Sequence, residues 1–155
     1  MKLIQLIQNA PLISAAIAWF FAELIKMIIV CIKDRTWKAF SLANFVASGG
    51  MPSSHAATVC ALAASIAMIQ GGFDSPQFAI AAVLAMIVMY DAAGVRRETG
   101  EQAKALNMIL ADMFSPNHEF RTKAFKELVG HTPSQVVMGA LVGVAVGVVY
   151  PLLVA

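Results

Sequence analysis

The sequence predicts an all-α fold: a polytopic transmembrane helical bundle of about four spans, with an amphipathic helical insertion between spans three and four. Three observations predict it. The chain has 155 residues, 59 % hydrophobic and only 13 % charged, with a mean hydropathy of +0.75; soluble domains carry roughly 25 % charged residues. The apolar residues come in runs of spanning length, for which about 20 residues are needed. Between residues 91 and 130 the composition turns polar. Residues 1–155 are read as a single membrane-embedded domain, with the N-terminal apolar stretch retained because it exceeds a signal-peptide core of about 7–15 residues. Cys31 and Cys60 both sit inside apolar runs without C-x-x-C spacing, the pattern of buried thiols rather than of a disulfide framework or zinc site.

Pro11 can open the first span, over about residues 12–32. It carries Glu23 and Lys26, three apart and therefore on one helix face. Intramembrane charges mark functional sites, although a mutual ion pair that only locks two helices is the plainer reading. A basic loop follows, with Lys33 and with Trp37 placed as a headgroup-level anchor. It leads to Gly49-Gly50-Met51-Pro52-Ser53-Ser54-His55, where proline and serine supply helix-start chemistry. The second span is expected over residues 53–70, free of charge after His55.

Gly71, Gly72 and Pro76 signal a tight turn. The third span is expected over residues 76–90, extending to 93 if its ends lie deep in the headgroups. In the polar segment, Ala103, Leu106, Ile109, Leu110 and Met113 recur at helical spacing, with Glu101, Lys104, Asn107 and Asp112 opposite, which predicts an amphipathic helix. A second and shorter one is expected with Phe120, Ala124, Phe125 and Leu128 on one face. The last span opens at His131-Thr132-Pro133-Ser134-Gln135 and reaches residue 153. Thr132 with Gln135 is a capping-box pair, and Pro133 fits the first helical position. Gly139, Gly143 and Gly147 line one face and permit close backbone approach, either within the chain or as the seam of a homo-oligomer.

Four spans put the loop 33–52 and the segment 91–132 on one side. That side holds Lys33, Arg35, Lys38, Arg96, Arg97, Lys104, Arg121, Lys123 and Lys126, nine of the eleven cations. The positive-inside rule places both histidine motifs on the cytoplasmic face of the plasma (inner) membrane. There the sequence gathers His55 and His131 at two helix starts, Arg96-Arg97 after the third span, and Lys26 and Lys33 at the end of the first. Cations, hydroxyls and N–H groups neutralise phosphoryl oxygens, and two imidazoles can serve as nucleophile and proton donor. Singly, a histidine at a helix start is a cap and an arginine pair a headgroup contact; together they read as a phosphate-ester site.

These residues resemble the type 2 phosphatidic acid phosphatases, relatives of the vanadium haloperoxidases, and in particular a divergent bacterial and plastid branch of them. Gly50-Met51-Pro52-Ser53-Ser54-His55 is similar to that family's Pro-Ser-Gly-His motif, with Ser54 in the glycine's place. His131-Thr132-Pro133-Ser134-Gln135, followed by Gly139 and Gly143, resembles its third motif, and Lys26 with Lys33 resembles its first. Asp91-Ala92-Ala93-Gly94-Val95-Arg96-Arg97-Glu98 is similar to the divergent branch. The resemblance implies that His131 attacks phosphorus to form a phosphohistidine and that His55 protonates the leaving oxygen. It also implies that Lys26, Ser53, Ser54 and Arg96 or Arg97 hold the phosphate, with Lys33 beside them, and that no metal or other cofactor is needed. The family's His-orienting Asp is here Gln135, for which Asp91 or Glu98 can substitute. Arg97 is separated from His131 by the insertion, and the spans number four where membrane members of the family usually have six.

The expected activity is hydrolysis of a lipid-borne phosphate, such as a phosphatidate, a phosphatidylglycerophosphate or a polyprenyl diphosphate, with the bilayer as surroundings and no nucleic-acid partner. A second reading is a catalytically degenerate fold that binds phospholipid headgroups or a partner membrane protein, which Gln135 favours. A third is a metal-dependent hydrolase using Asp91, Glu98 and Asp112.

Overall fold

The computed structural model describes residues 5, 7–35, 50–69, 71–113 and 131–154. Helix α1 spans Ala10–Asp34, α2 Ser54–Ile69, α3 Pro76–Ala93, α4 Val95–Met113 and α5 Pro133–Val154, with a 3-10 turn at Gly72–Asp74. The starts follow local chemistry. Asn9 accepts the Leu12 N–H at 3.1 Å, Ser75 accepts the Phe78 N–H at 3.2 Å, and a proline stands in the first turn of each of those helices. Such side-chain acceptors satisfy N–H groups that have no partner inside the helix. The turn before α3 is built as expected, with Gly71 and Gly72 at φ of 86° and 77°, in the left-handed region open to glycine.

Of the four spans expected from the sequence, three coincide with helices of spanning length and the second with a shorter one. Three helical stretches, Ala10–Lys33, Pro76–Leu110 and Pro133–Val154, are long and apolar enough to cross a membrane, whereas Ser54–Ile69 is a shorter apolar helix. Its 16 residues rise about 24 Å, short of the hydrocarbon core of about 30 Å. The shortfall has a place in the sequence, because the chain at Gly50–Ser53 is not helical.

This short helix is the centre of the bundle. It packs most extensively on α5, then on α1 and α3, and its Ala56, Ala57 and Ala61 are fully buried. Ala18 and Ala22 of α1 meet Ala57 and Ala61, with Val142 and Val146 of α5 against them. Helices α2 and α5 run parallel: a side chain at Gly139, Gly143 or Gly147 would collide with the carbonyl oxygen of Ser53, Ala57 or Ala61 in turn. The glycine face is thus occupied inside the chain by α2, the intramolecular one of the two packings its spacing allows. Near the far end of α2, the buried hydroxyls of Ser14 and Ser65 lie 3.2 Å apart and tie it to α1.

The large apolar side chains of α3 and α5 point outward instead, among them Ile80, Met86, Ile87, Leu141 and Val149. An outward apolar surface suits lipid contact. Helix α4 bears out the first amphipathic helix, with Leu106 and Ile109 of its expected apolar face exposed. The second amphipathic stretch, around Phe120 and Leu128, and the Trp37 anchor lie outside the described residues.

Candidate functional site

Lys26 is the first fixed point. It is 3 % exposed and lies eight residues before the end of α1, about 12 Å of helix rise below Asp34. The site is therefore set into the bundle and not at its rim. Burying an ammonium is costly unless it is paired, and Glu23, one turn earlier, supplies the partner at 2.7 Å. The same ammonium donates to Ser54 Oγ at 3.3 Å, which joins α1 to the start of α2. Gly50 lies over the Lys26 stem, where an added Cβ would sit 3.6 Å from Cδ.

Ser53 and Ser54 are both buried. Ser53 Oγ accepts the Ala56 N–H at 3.4 Å, the helix-start role its position predicts, and its own N–H donates to the Gln135 carbonyl at 2.9 Å. That bond fastens the first histidine motif to the second. At the second motif, the His131 N–H donates to the carbonyl of Ala92 at 3.1 Å, so the end of α3 holds the start of α5. The imidazoles of His55 and His131 consequently meet edge to face, with ring centroids 5.8 Å apart and planes at 79°. His55 is exposed and His131 buried. One imidazole faces the solvent side and the other lies within the bundle.

Of the residues singled out in the sequence, Lys26, Ser53, Ser54, His55 and His131 are brought together. Lys33 is exposed in the last turn of α1, about 10 Å of helix rise beyond Lys26, and is not part of the cluster. Gln135 Oε1 accepts the Thr132 N–H at 3.0 Å, which is the capping box; that oxygen serves the helix start. Asp91 directly precedes Ala92, whose carbonyl holds His131, whereas Glu98 is exposed on α4 and lines a cavity of about 450 Å³ with Ala93, Gly94, Glu101 and Gln102. The side chains of Arg96, Arg97 and Asp112 lie outside the described residues. Among the described residues, no three His, Cys, Asp or Glu side chains gather as a metal site would require.

Glu23 was absent from the expected set of phosphate-site residues. Its signal was legible, since a carboxylate three residues before Lys26 on an apolar helix must share its face. What the sequence could not supply was the contact of the pair with Ser54, which depends on how α1 and α2 cross.

Comparison with known proteins adds to this geometry. A family described as "Divergent PAP2 family" matches residues 7–146. A protein of Bacillus subtilis (strain 168) described as "Uncharacterized membrane protein YuiD" is 40 % identical over 150 residues, covering 90 % of this chain and 92 % of that protein. No solved structure matches the chain.

Proposed function

The chain belongs to the divergent PAP2 family, and from that premise we propose that it is an integral membrane phosphatase acting on a lipid-borne phosphomonoester or diphosphate through a phosphohistidine. The observation that carries the reading is the meeting of His55 and His131, 5.8 Å apart, beside a buried lysine that already donates to Ser54. A nucleophile and a proton donor on opposite sides of phosphorus each need an approach of about 3–3.5 Å. At 5.8 Å the two rings touch edge to face, so in-line transfer requires them to part and admit the phosphoryl group between them.

In the proposed reaction a ring nitrogen of His131 attacks phosphorus while the bond to the lipid oxygen breaks, and His55 gives that oxygen its proton. Water then attacks the phosphohistidine, His55 takes the water's proton, and phosphate leaves with His131 restored. Lys26 and the hydroxyl of Ser54 neutralise the phosphoryl oxygens as charge builds, with Ser53 and Arg96 or Arg97 as further ligands. The basic side of the bundle supports a cytoplasmic site at the plasma (inner) membrane, and hence a substrate made there: a phosphatidate, a phosphatidylglycerophosphate or a polyprenyl diphosphate.

One observation favours a second reading. Gln135 stands where the resemblance implies a carboxylate, and its oxygen is spent on the Thr132 N–H, as befits a catalytically silent protein that holds phospholipid headgroups. Phosphate release separates the two. The detergent-solubilised protein is offered a panel of lipid phosphates in EDTA, beside His131→Ala and His55→Ala. Release that both substitutions abolish supports the phosphatase. Binding of phospholipid by folded wild-type protein, without release, supports the silent binder.

A further inference from the structure

The Glu23–Lys26 pair holds a feature that a simple strut between helices does not require. Glu23 is 5 % exposed, and only one of its oxygens is used: Oε1 accepts from Lys26 at 2.7 Å, while Oε2 is buried and has no hydrogen-bond partner among the described residues. A buried carboxylate oxygen left unmatched is costly. Such costs are retained at functional sites, where a ligand supplies the missing partner. The two oxygens share one carbon, so Oε2 lies within a carboxylate's width of an ammonium that also reaches Ser54 at 3.3 Å. An anion bound by Lys26 and Ser54 is therefore a close neighbour of Oε2.

We infer that Glu23 makes this a site for a phosphate that still carries a proton, with the P–O–H group donating to Glu23 Oε2. The inference rests on the phosphate-site reading above and narrows its substrate to the singly charged form. Two effects act together. A protonated phosphate gives Oε2 the donor it lacks, and its single charge sets less repulsion against the Glu23 carboxylate than a double charge does. A fully ionised phosphate offers no donor and sets a second negative charge against Glu23. Specificity of this kind comes from the repulsive element as much as from the attractive one. Glu23 is thus a positioning and selecting residue, acting through the proton of the ligand and through Lys26.

Sulfate is the discriminating probe, because it has the tetrahedral shape of phosphate but keeps a double charge and no proton. A phosphate monoester loses its last proton at about pH 6, so binding of inorganic phosphate and of sulfate is compared at about pH 5 on the full-length solubilised protein. Among the described residues Lys26 on α1 pairs with Glu23 and reaches Ser54, next to His55 on α2, with His131 before α5 against His55; both anions meet these groups at one pH. The ratio of affinities consequently isolates the proton on the ligand. Wild type is expected to favour phosphate by about 10-fold or more, since a site built to hydrogen-bond a hydroxyl rejects the analogue lacking it. In Glu23→Gln the amide can keep an acceptor for Lys26 and present a donor in place of Oε2, and the ratio is expected to fall to within about threefold, mainly through tighter sulfate binding. Glu23→Asp, which withdraws the carboxylate, is expected to lower the ratio while leaving phosphate ahead.

A wild-type protein that binds the two anions equally well overturns the inference but leaves the phosphate site standing. So does an unchanged ratio in either folded variant, or an equal loss of both anions, which is the signature of a strut. If wild type binds neither anion, the phosphate-site reading falls and this inference with it.

Discussion

At the scale of single residues, Gln135 separates a structural duty from a catalytic one. Its Oε1 completes a capping box with the Thr132 N–H, while its carbonyl accepts from Ser53 and needs no particular side chain. Gln135→Ala is therefore expected to cost about 1 kcal/mol of stability, the usual value of a lost cap, read as a small drop in thermal midpoint in detergent. Phosphate release should stay within about threefold of wild type, whereas His131→Ala, which removes the nucleophile, should lower it by about 10³-fold or more. A collapse of activity in a folded Gln135→Ala protein would show that its side chain orients His131 after all. Which residues gather at the two helix starts was largely readable, because serine, proline and histidine there have specific local chemistry. Their partners were not. That Ser53 binds the Gln135 backbone and Lys26 reaches Ser54 follows from helix crossings, to which single-residue chemistry is blind.

At the scale of elements, the contact between α2 and α5 is the joint on which the site depends. Gly139, Gly143 and Gly147 advance along α5 in step with Ser53, Ala57 and Ala61 along α2, so the two histidine motifs at their starts are held level. A Cβ at Gly143 meets the Ala57 backbone, which cannot rotate away as a side chain can. Gly143→Val is expected to destabilise the bundle by about 3 kcal/mol or more, at or beyond the upper end of overpacking costs, measured as loss of monodisperse protein on gel filtration. Ala145→Val, at an exposed position on the same helix, should be tolerated. Glycine spacing announced a close approach but could not identify its partner, since a helix from the same chain and one from a second copy ask for the same small residues. Helix α2 covers Ser54–Ile69 of the span expected over residues 53–70, so its extent was legible; that it is shorter than the other apolar helices goes with the non-helical chain at Gly50–Ser53.

At the scale of the whole molecule, the short central helix bears on which way the bundle faces. If α2 carries the chain across the bilayer, Arg35 at the end of α1 and Phe73 in the turn after α2 lie on opposite sides; both are exposed. The cations of the site-bearing side predict that Arg35 is inside and Phe73 outside. Both native cysteines are buried, so a background of Cys31→Ala and Cys60→Ala should preserve the fold. In that background, a membrane-impermeant maleimide is expected to label Phe73→Cys on intact cells and Arg35→Cys only after permeabilisation. Labelling of both from outside would mean that α2 enters and leaves by one face, consistent with its 16 residues, and that three helices alone span. The reverse pattern would put the two histidines on the outer face. The substrate would then be a lipid phosphate exposed on the outer leaflet, and the cations around the site would be there for the anion they bind rather than for the orientation of the chain.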